Sequence, residues 1–220
     1  MGSAVIICNG KFPAKEYPLY LLRSADRIVC CDGAFATYLR HCGSVFGDKR
    51  LPDAVVGDMD SIPKKLAKEY RNLMVTVSEQ ETNDMSKAFH YVLGHFPEIS
   101  DVHFIAATGK REDHTVGNLS LLMEYAKELK QAERDISVDI VSDWCTAAAV
   151  TDSCEIAVGK GRAVSIFSPD NSLTIKSEGL EWPTDHVVFD NWWKATLNRA
   201  SEDTVRLKFS HPSAALLILD

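Results

Sequence analysis

The sequence predicts an α/β domain with a mostly parallel, Rossmann-like sheet, followed by an all-β sandwich domain. Short apolar runs alternate with helical patterns through the first part of the chain, as in βα units. Short β-rich runs replace this alternation later in the chain, and 220 residues are enough for two modest domains. We place the first domain at residues 1–135 and the second at residues 136–220.

Five short apolar runs of the first domain predict strands, at residues 4–8, 27–31, 53–56, 74–77 and 102–106. Apolar residues recur at spacings of three and four over residues 85–96 and 119–129, which predicts two amphipathic helices. Ser61, followed by Pro63, predicts an N-cap and a third helix over residues 64–70.

The helical period disappears beyond residue 135. The β-rich runs that follow lie at residues 136–141, 155–158, 163–167, 173–175, 186–189, 204–209 and 214–219. Short strands at this spacing are typical of a compact β-sandwich or barrel.

Composition and charge exclude several classes of protein. A net charge of −7, from 31 acidic and 24 basic residues, argues against nucleic acid as a partner. No apolar stretch approaches the ~20 residues that span a bilayer, and the first residues lack the charged region of a signal peptide. Six cysteines without a C-x-x-C pair fit buried, reduced thiols. We therefore expect a cytoplasmic protein.

Acidic residues follow four of the predicted strands of the first domain. Ligands of an open parallel sheet bind beyond the carboxyl ends of its strands, so these acids mark the expected site. They are Asp32, Asp58 and Asp60, the acids of residues 79–84 and those of residues 108–114.

Asp58 and Asp60 are two residues apart, so an extended backbone would direct both side chains the same way. Two carboxylates ~4 Å apart repel by ~4 kcal/mol at an effective dielectric near 20, and a nearby cation relieves this repulsion. Hard oxygen ligands without a Cys or His cluster suit Mg²⁺ together with substrate phosphates. The alternative is a solvated turn whose acids cap a helix.

Gly109-Lys110-Arg111 lies beside a predicted helix N-terminus, where backbone N–H groups and a guanidinium together suit a phosphate. Asp84 and Asp113 each lie at a predicted helix start, so helix capping is the alternative to a ligand role. For His114 and Asn118, which share a helix face, the alternative is local hydrogen bonding.

The chain has neither a G-x-x-x-x-G-K-[ST] loop nor a G-x-G-x-x-G after a strand, which argues against a P-loop kinase and an ordinary NAD enzyme. It also has no H-E-x-x-H and no G-x-S-x-G motif, so zinc-protease and hydrolase interpretations have no support.

Together these motifs resemble the thiamin pyrophosphokinase family, which makes thiamin diphosphate from thiamin and ATP. The resemblance covers nearly the whole chain and rests on the order and spacing of several blocks. The blocks are Asn9-Gly10, Asp32-Gly33, Pro52-Asp53, Gly57-Asp58-Met59-Asp60-Ser61, Gln80 to Asp84, Gly109-x-Arg111-x-Asp113-His114-Thr115-x-x-Asn118, Gly179-Leu180-Glu181-Trp182 and Thr196-Leu197-Asn198.

The resemblance implies transfer of the diphosphoryl group of ATP to the hydroxyethyl oxygen of thiamin, with AMP as the second product. It implies Mg²⁺ as the metal and a homodimer with two active sites between subunits. By resemblance, the metal ligands would be Asp58, Asp60, Asp84 and Asp113, which together with Arg111 would be catalytic. The nucleotide would be bound by Asn9, Asp32, Gln80, Thr82, Arg111, His114 and Asn118. Thiamin would be bound by Trp182, Thr196 and Asn198.

The sequence departs from the family pattern at Ala34, Asn83 and Leu197, which replace a glycine, a threonine and a serine. These departures leave two alternatives open: the same chemistry on another alcohol such as a pterin, and a non-catalytic thiamin or nucleotide sensor. The pair Trp192-Trp193 lies outside the signature and is interpreted as core or dimer interface.

Overall fold

The computed structural model describes residues 2–220, which form two compact units. One unit comprises the chain up to residue 118 and residues 136–143. The other comprises residues 119–135 and 144–220. The boundary expected near residue 135 thus differs from the observed division in two short segments.

The first unit is built on six parallel strands. They are β1 (Gly2–Ile7), β2 (Arg27–Cys31), β3 (Ala54–Gly57), β4 (Met74–Thr76), β5 (Ile99–Ile105) and β6 (Ser137–Val141). Their order is β6-β5-β1-β2-β3-β4. Parallel strands end at one edge of the sheet, so the segments after β1, β2, β3 and β5 are brought close together.

Five helices accompany the strands. They are α1 (Glu16–Ser24), α2 (Phe35–Phe46), α3 (Lys64–Glu69), α4 (Asp84–His95) and α5 (Glu112–Gln131). The buried side of α4 includes Met85, Ala88, Phe89 and Val92, the spacing of an amphipathic helix. The predicted N-cap of α3 is wrong: Pro63, not Ser61, precedes its first residue.

The second unit has two antiparallel sheets. Its strands are β7 (Thr146–Val150), β8 (Cys154–Ala157), β9 (Ala163–Phe167), β10 (Ile175–Glu178), β11 (Ala195–Arg199), β12 (Thr204–Phe209) and β13 (Ala215–Leu219). One sheet contains β11-β9-β13-β7 and the other β10-β12-β8. Apolar side chains of both sheets form one core that includes Ile166, Ile175, Val205 and Leu217. The predicted combination of an α/β part and a β-sandwich is therefore confirmed.

Two predicted elements need correction. Residues 136–141 do not open the β-sandwich, because β6 pairs in parallel with β5 of the first unit. Residues 186–189 form no strand, since the Val187 N–H donates to the Thr184 carbonyl and closes a turn. Only Phe189 of the predicted apolar run is buried in the core, while Val188 is exposed.

Within residues 2–220, no helix has the length and apolar character needed to cross a membrane.

Candidate active site

A cavity of about 340 Å³ lies in the first unit, where β1, β2 and β5 end. Its lining confirms that the strand-end segments meet. Among the residues that the sequence proposes for the site, this cavity brings together Asn9, Asp84, Arg111, His114 and Asn118.

Asp32 and Asp84 form a pair of carboxyl groups beside this cavity. Asp32 is only 1% exposed, and it accepts the Gly33 N–H at 2.5 Å and the Ser61 N–H at 3.4 Å. Asp84, the first residue of α4, lies close enough to Asp32 for the two charges to interact. Burial, followed by the nearby charge of Asp32, raises the pKa of Asp84 to about 6.

Gly57 makes room for this pair at the end of β3. A Cβ atom at position 57 would lie 2.7 Å from the Cγ atom of Asp32. The close approach of the β3 backbone to Asp32 therefore requires a residue without a side chain.

Lys87 is the buried cation of the cluster, and the sequence analysis missed it. Its side chain is 3% exposed, with Nζ 3.6 Å from Asp84 Oδ1 and 4.0 Å from Asp58 Oδ2. The sequence does place Lys87 three residues after Asp84 at the predicted helix, a spacing that indicates a possible ion pair between the two side chains. Its charge offsets part of the negative charge of the two aspartates.

Asp58 and Asp60 do not lie on an extended segment, because Met59 between them has a left-handed backbone with φ of 69°. The extended backbone on which the expected common direction of the two side chains rests is therefore absent. Asp58 accepts the Asp60 N–H at 3.0 Å and the Gln80 side-chain amide at 3.2 Å. These bonds lower the pKa of Asp58, the Asp60 bond most.

Asn83 and Asn118 connect the starts of α4 and α5. The Asn83 side chain accepts the Ser86 N–H at 3.0 Å and donates to Asn118 Oδ1 at 3.0 Å. The buried Asn118 amide donates in turn to the Ala107 carbonyl at 2.7 Å. Asn83, which departs from the family pattern, thus caps α4. The Asn118 amide joins two segments that line the cavity.

The loop before α4 carries Gln80 and Thr82. The Thr82 hydroxyl donates to Glu79, whose carboxylate also accepts the N–H groups of Glu81 and Thr82, at 2.9 and 3.1 Å. Both Gln80 and Thr82 are exposed, and Gln80 reaches the acidic cluster through Asp58.

Arg111 and Asp113 form an exposed ion pair at the start of α5. This pairing, with the His114 N–H as a second donor, lowers the pKa of Asp113 to about 2. The carboxylate of Asp113 is thus engaged by Arg111, and not by the cluster of Asp32, Asp58 and Asp84. Nearby, Lys110 Nζ donates to Asn9 Oδ1 at 3.1 Å.

These side chains suit a divalent cation only together with oxygen atoms of a substrate. Within residues 2–220, no three His, Cys, Asp or Glu side chains are arranged to hold an ion by themselves. Asp32 and Asp84 nevertheless concentrate negative charge next to Asp58, and all their donor atoms are hard oxygens. Mg²⁺ binds through one or two carboxylates plus substrate phosphates, and the residues present fit that mode.

The residues proposed to bind thiamin all belong to the second unit, and two of them, Trp182 and Asn198, are in contact. Trp182 is 59% exposed, and Asn198 on β11 is buried with its side-chain amide against the Trp182 backbone. Thr196 is half-buried, and its N–H donates to the Trp193 carbonyl at 3.2 Å. Trp192 lies against Phe167 of β9, with ring centroids 5.1 Å apart.

A parallel sheet whose carboxyl edge combines a cavity, an acidic cluster and the cations Lys110 and Arg111 defines an α/β protein suited to a phosphorylated ligand. Comparison with known proteins then identifies the family. Residues 19–133 match the thiamin pyrophosphokinase catalytic domain, and residues 146–213 match the thiamin pyrophosphokinase substrate-binding domain. The chain belongs to the thiamin pyrophosphokinase family.

Individual relatives agree with this result. The chain is 28% identical to thiamine pyrophosphokinase 1 of Oryza sativa subsp. japonica, over 93% of this chain and 82% of the rice protein. Its fold is similar to thiamin pyrophosphokinase from Candida albicans, with a TM-score of 0.75 and 17% identity over 99% of this chain and 88% of that one. The Geobacillus thermodenitrificans enzyme gives a TM-score of 0.74 and 20% identity over 99% and 97% of the two chains.

The activity that follows from the family is ATP-dependent pyrophosphorylation of thiamin, so the chain is an enzyme of the transferase class. These matches give no support to an enzyme acting on another alcohol or to a sensor.

Proposed function

We propose that the cavity of the first unit binds the ATP phosphates and that the acidic cluster beside it holds Mg²⁺. The observation that carries this proposal is the buried Asp32 beside the partly exposed Asp84, with Asp58 nearby and Lys87 as the internal cation. A site that concentrates carboxyl groups next to a cavity of this size needs additional positive charge to accept a polyanion.

Asp32, Asp58 and Asp84 are the proposed metal ligands at the centre of the site. Asp60 and Asp113, which the resemblance implies, complete the proposed set. Asp113 becomes available when Arg111 turns from it to a phosphate. When bound, Mg²⁺ neutralises part of the phosphate charge.

The residues of the chain position the reacting groups. In the proposed reaction the hydroxyethyl oxygen of thiamin attacks the β-phosphorus of ATP, and AMP leaves. Catalysis of this kind depends mostly on positioning and electrostatic stabilisation. Arg111 and Lys110 line the cavity and counter the charge that develops on the transferred group. Asn9, Gln80, Thr82, His114 and Asn118 complete the proposed nucleotide site.

Trp182 and Thr196 form the proposed thiamin-binding group, with Asn198 beside Trp182. Thiamin combines a cationic thiazolium with a flat pyrimidine, and both favour the exposed aromatic face of Trp182. The proposed assembly is a cytoplasmic homodimer with active sites formed between subunits.

Incubation of the purified protein with ATP, MgCl₂ and thiamin tests the reaction. We expect equal amounts of thiamin diphosphate and AMP, and no product after chelation of the metal. Formation of ADP and thiamin monophosphate would contradict diphosphoryl transfer. A pterin alcohol in place of thiamin is the control for substrate class.

Light scattering of the purified protein tests the homodimer, and we expect twice the mass of one chain.

A further inference from the structure

The side-chain amide of Asn198 is committed to the backbone of the protein. Its Oδ1 accepts the Trp182 N–H at 3.2 Å and the Arg199 N–H at 2.8 Å, and its Nδ2 donates to the Trp182 carbonyl at 2.6 Å. Both acceptor positions of the amide oxygen and one of its two N–H donors are therefore used. Asn198 is also buried, at 7% exposure.

Trp182 depends on these bonds because regular strand pairing ends just before it. Residues 179–181 pair with residues 199–201 through the Ser201 N–H to the Gly179 carbonyl and the Glu181 N–H to the Arg199 carbonyl, both at 2.8 Å. The next residue after Trp182 is Pro183, which has no N–H to continue the pairing. On the other side, Leu197 has a left-handed backbone, which breaks the regular course of β11.

We infer that Asn198 is a positioning residue, which fixes the Trp182 backbone and thereby the direction of the exposed indole, rather than a residue that contacts thiamin. This inference rests on the proposed function in one respect: it takes the Trp182 ring as the surface on which thiamin packs. It changes the role expected for Asn198 from the resemblance, because its oxygen is saturated by the protein itself.

A double-mutant cycle separates positioning from contact. We expect Asn198→Ala to raise the KM for thiamin roughly tenfold, since a small displacement of a binding group weakens its action, and to leave the KM for ATP unchanged. In a Trp182→Ala background the same substitution should have no further effect on the KM for thiamin. If the increases in the KM for thiamin caused by the two single substitutions multiply in the double variant, Asn198 contacts thiamin directly and the inference is overturned. Arg199→Ala, which truncates the neighbouring exposed side chain, is the matched control.

A second measurement does not depend on activity. In protein labelled with 5-fluorotryptophan, the Trp182 signal is assigned by its loss in Trp182→Ala. Asn198→Ala should shift or broaden that ¹⁹F signal and leave the Trp144 signal unchanged. An unchanged Trp182 signal would overturn the inference, whatever the enzyme acts on. A changed signal with unchanged thiamin kinetics would instead contradict the proposed role of Trp182. If Asn198→Ala does not fold, Asn198→Asp, which removes the donor to the Trp182 carbonyl, is measured in the same ways.

Discussion

Asp84, the first residue of α4, lies beside the buried Asp32, and the pKa of Asp84 rises to about 6. Burial is the largest cause, and the charge of Asp32 is the next. Two carboxyl groups in this arrangement hold one negative charge more readily than two. Placing these two carboxyl groups side by side therefore lowers the stability of the folded protein.

Asp84→Asn tests this arrangement. The substitution keeps the size of the side chain and removes one of two interacting charges. We expect formation of thiamin diphosphate to fall by roughly 100-fold or more, because an electrostatic group of the site is lost. The free energy of unfolding in urea should stay the same or increase. Glu69→Gln on exposed α3 is the control, and full activity of Asp84→Asn would contradict the ligand role.

Lys87→Met removes the buried cation of the same cluster. Both aspartate partners retain some exposure, so we expect a loss of about 1–3 kcal/mol in the free energy of unfolding, less than for a fully buried pair. Lys68→Met in exposed α3 should change it by less than about 0.5 kcal/mol. Adding Asp84→Asn to Lys87→Met should restore part of the loss, and strict additivity would show that the two charges do not interact.

Arg111→Lys separates charge from geometry at the start of α5. The Arg111–Asp113 pair is exposed and screened by solvent, so we expect no measurable change in stability. A lysine keeps the charge but lacks the planar fork that matches a phosphate. We therefore expect kcat/KM for ATP to fall about tenfold or more while urea unfolding is unchanged. Kinetics equal to those of the unsubstituted enzyme would argue against Arg111 as a phosphate ligand.

Asp170 makes the stability of the second unit depend on pH. It accepts hydrogen bonds from the Ser172 and Ser213 hydroxyls and from the His211 ring, at 2.6, 2.8 and 2.9 Å. These bonds, that of Ser172 most, hold the pKa of Asp170 well below its usual 3.8. A lowered pKa contributes stability above 3.8, which is lost as the pH falls toward the folded-state value.

We therefore expect Asp170→Asn to lose about 1 kcal/mol of stability at pH 7. The difference from the unsubstituted protein should narrow when urea unfolding is repeated below pH 3.8. A difference that is constant or grows on acidification would show that the ionised form of Asp170 is not the stabilising one.

Leu197→Asn tests backbone strain on β11. Leu197 has φ of 60° while its side chain is 86% exposed, so truncation removes little packing. A left-handed backbone costs a leucine about 1–2 kcal/mol, and asparagine adopts it more readily. We expect the free energy of unfolding to rise by about 0.5–1 kcal/mol, with a melting temperature about 1–4 °C higher. Val188→Asn, also exposed but without a positive φ, should show no such gain.

The sequence predicted the elements whose pattern is local. The apolar spacing of α4 and the short apolar run of β1 are complete within their own segments. By contrast, β7 consists mostly of alanine, which has low strand preference, and it is a strand because it pairs with β13. Residues 186–189 show the reverse case, since their β-branched residues favour a strand but no neighbouring strand pairs with them.

The sequence predicted at which edge of the sheet the site lies. Acids after parallel strands indicated where Asp32, Asp58 and Asp84 would meet. The inward direction of Lys87 could not be read from the helical pattern, because a lysine at that position normally faces solvent. The engagement of Asp113 with Arg111 and the turn at Met59 depend on backbone angles that the sequence does not display.

The path of the chain through the two units has a practical consequence for dissecting the enzyme. Helix α5 begins in the first unit and continues in the second, and β6 then returns to the first. A fragment that stops at residue 135 would lack β6 and leave the backbone of β5 as an unpaired edge, open to aggregation. Ligand binding to the first unit is therefore best measured in the intact chain, with substitutions at one site at a time.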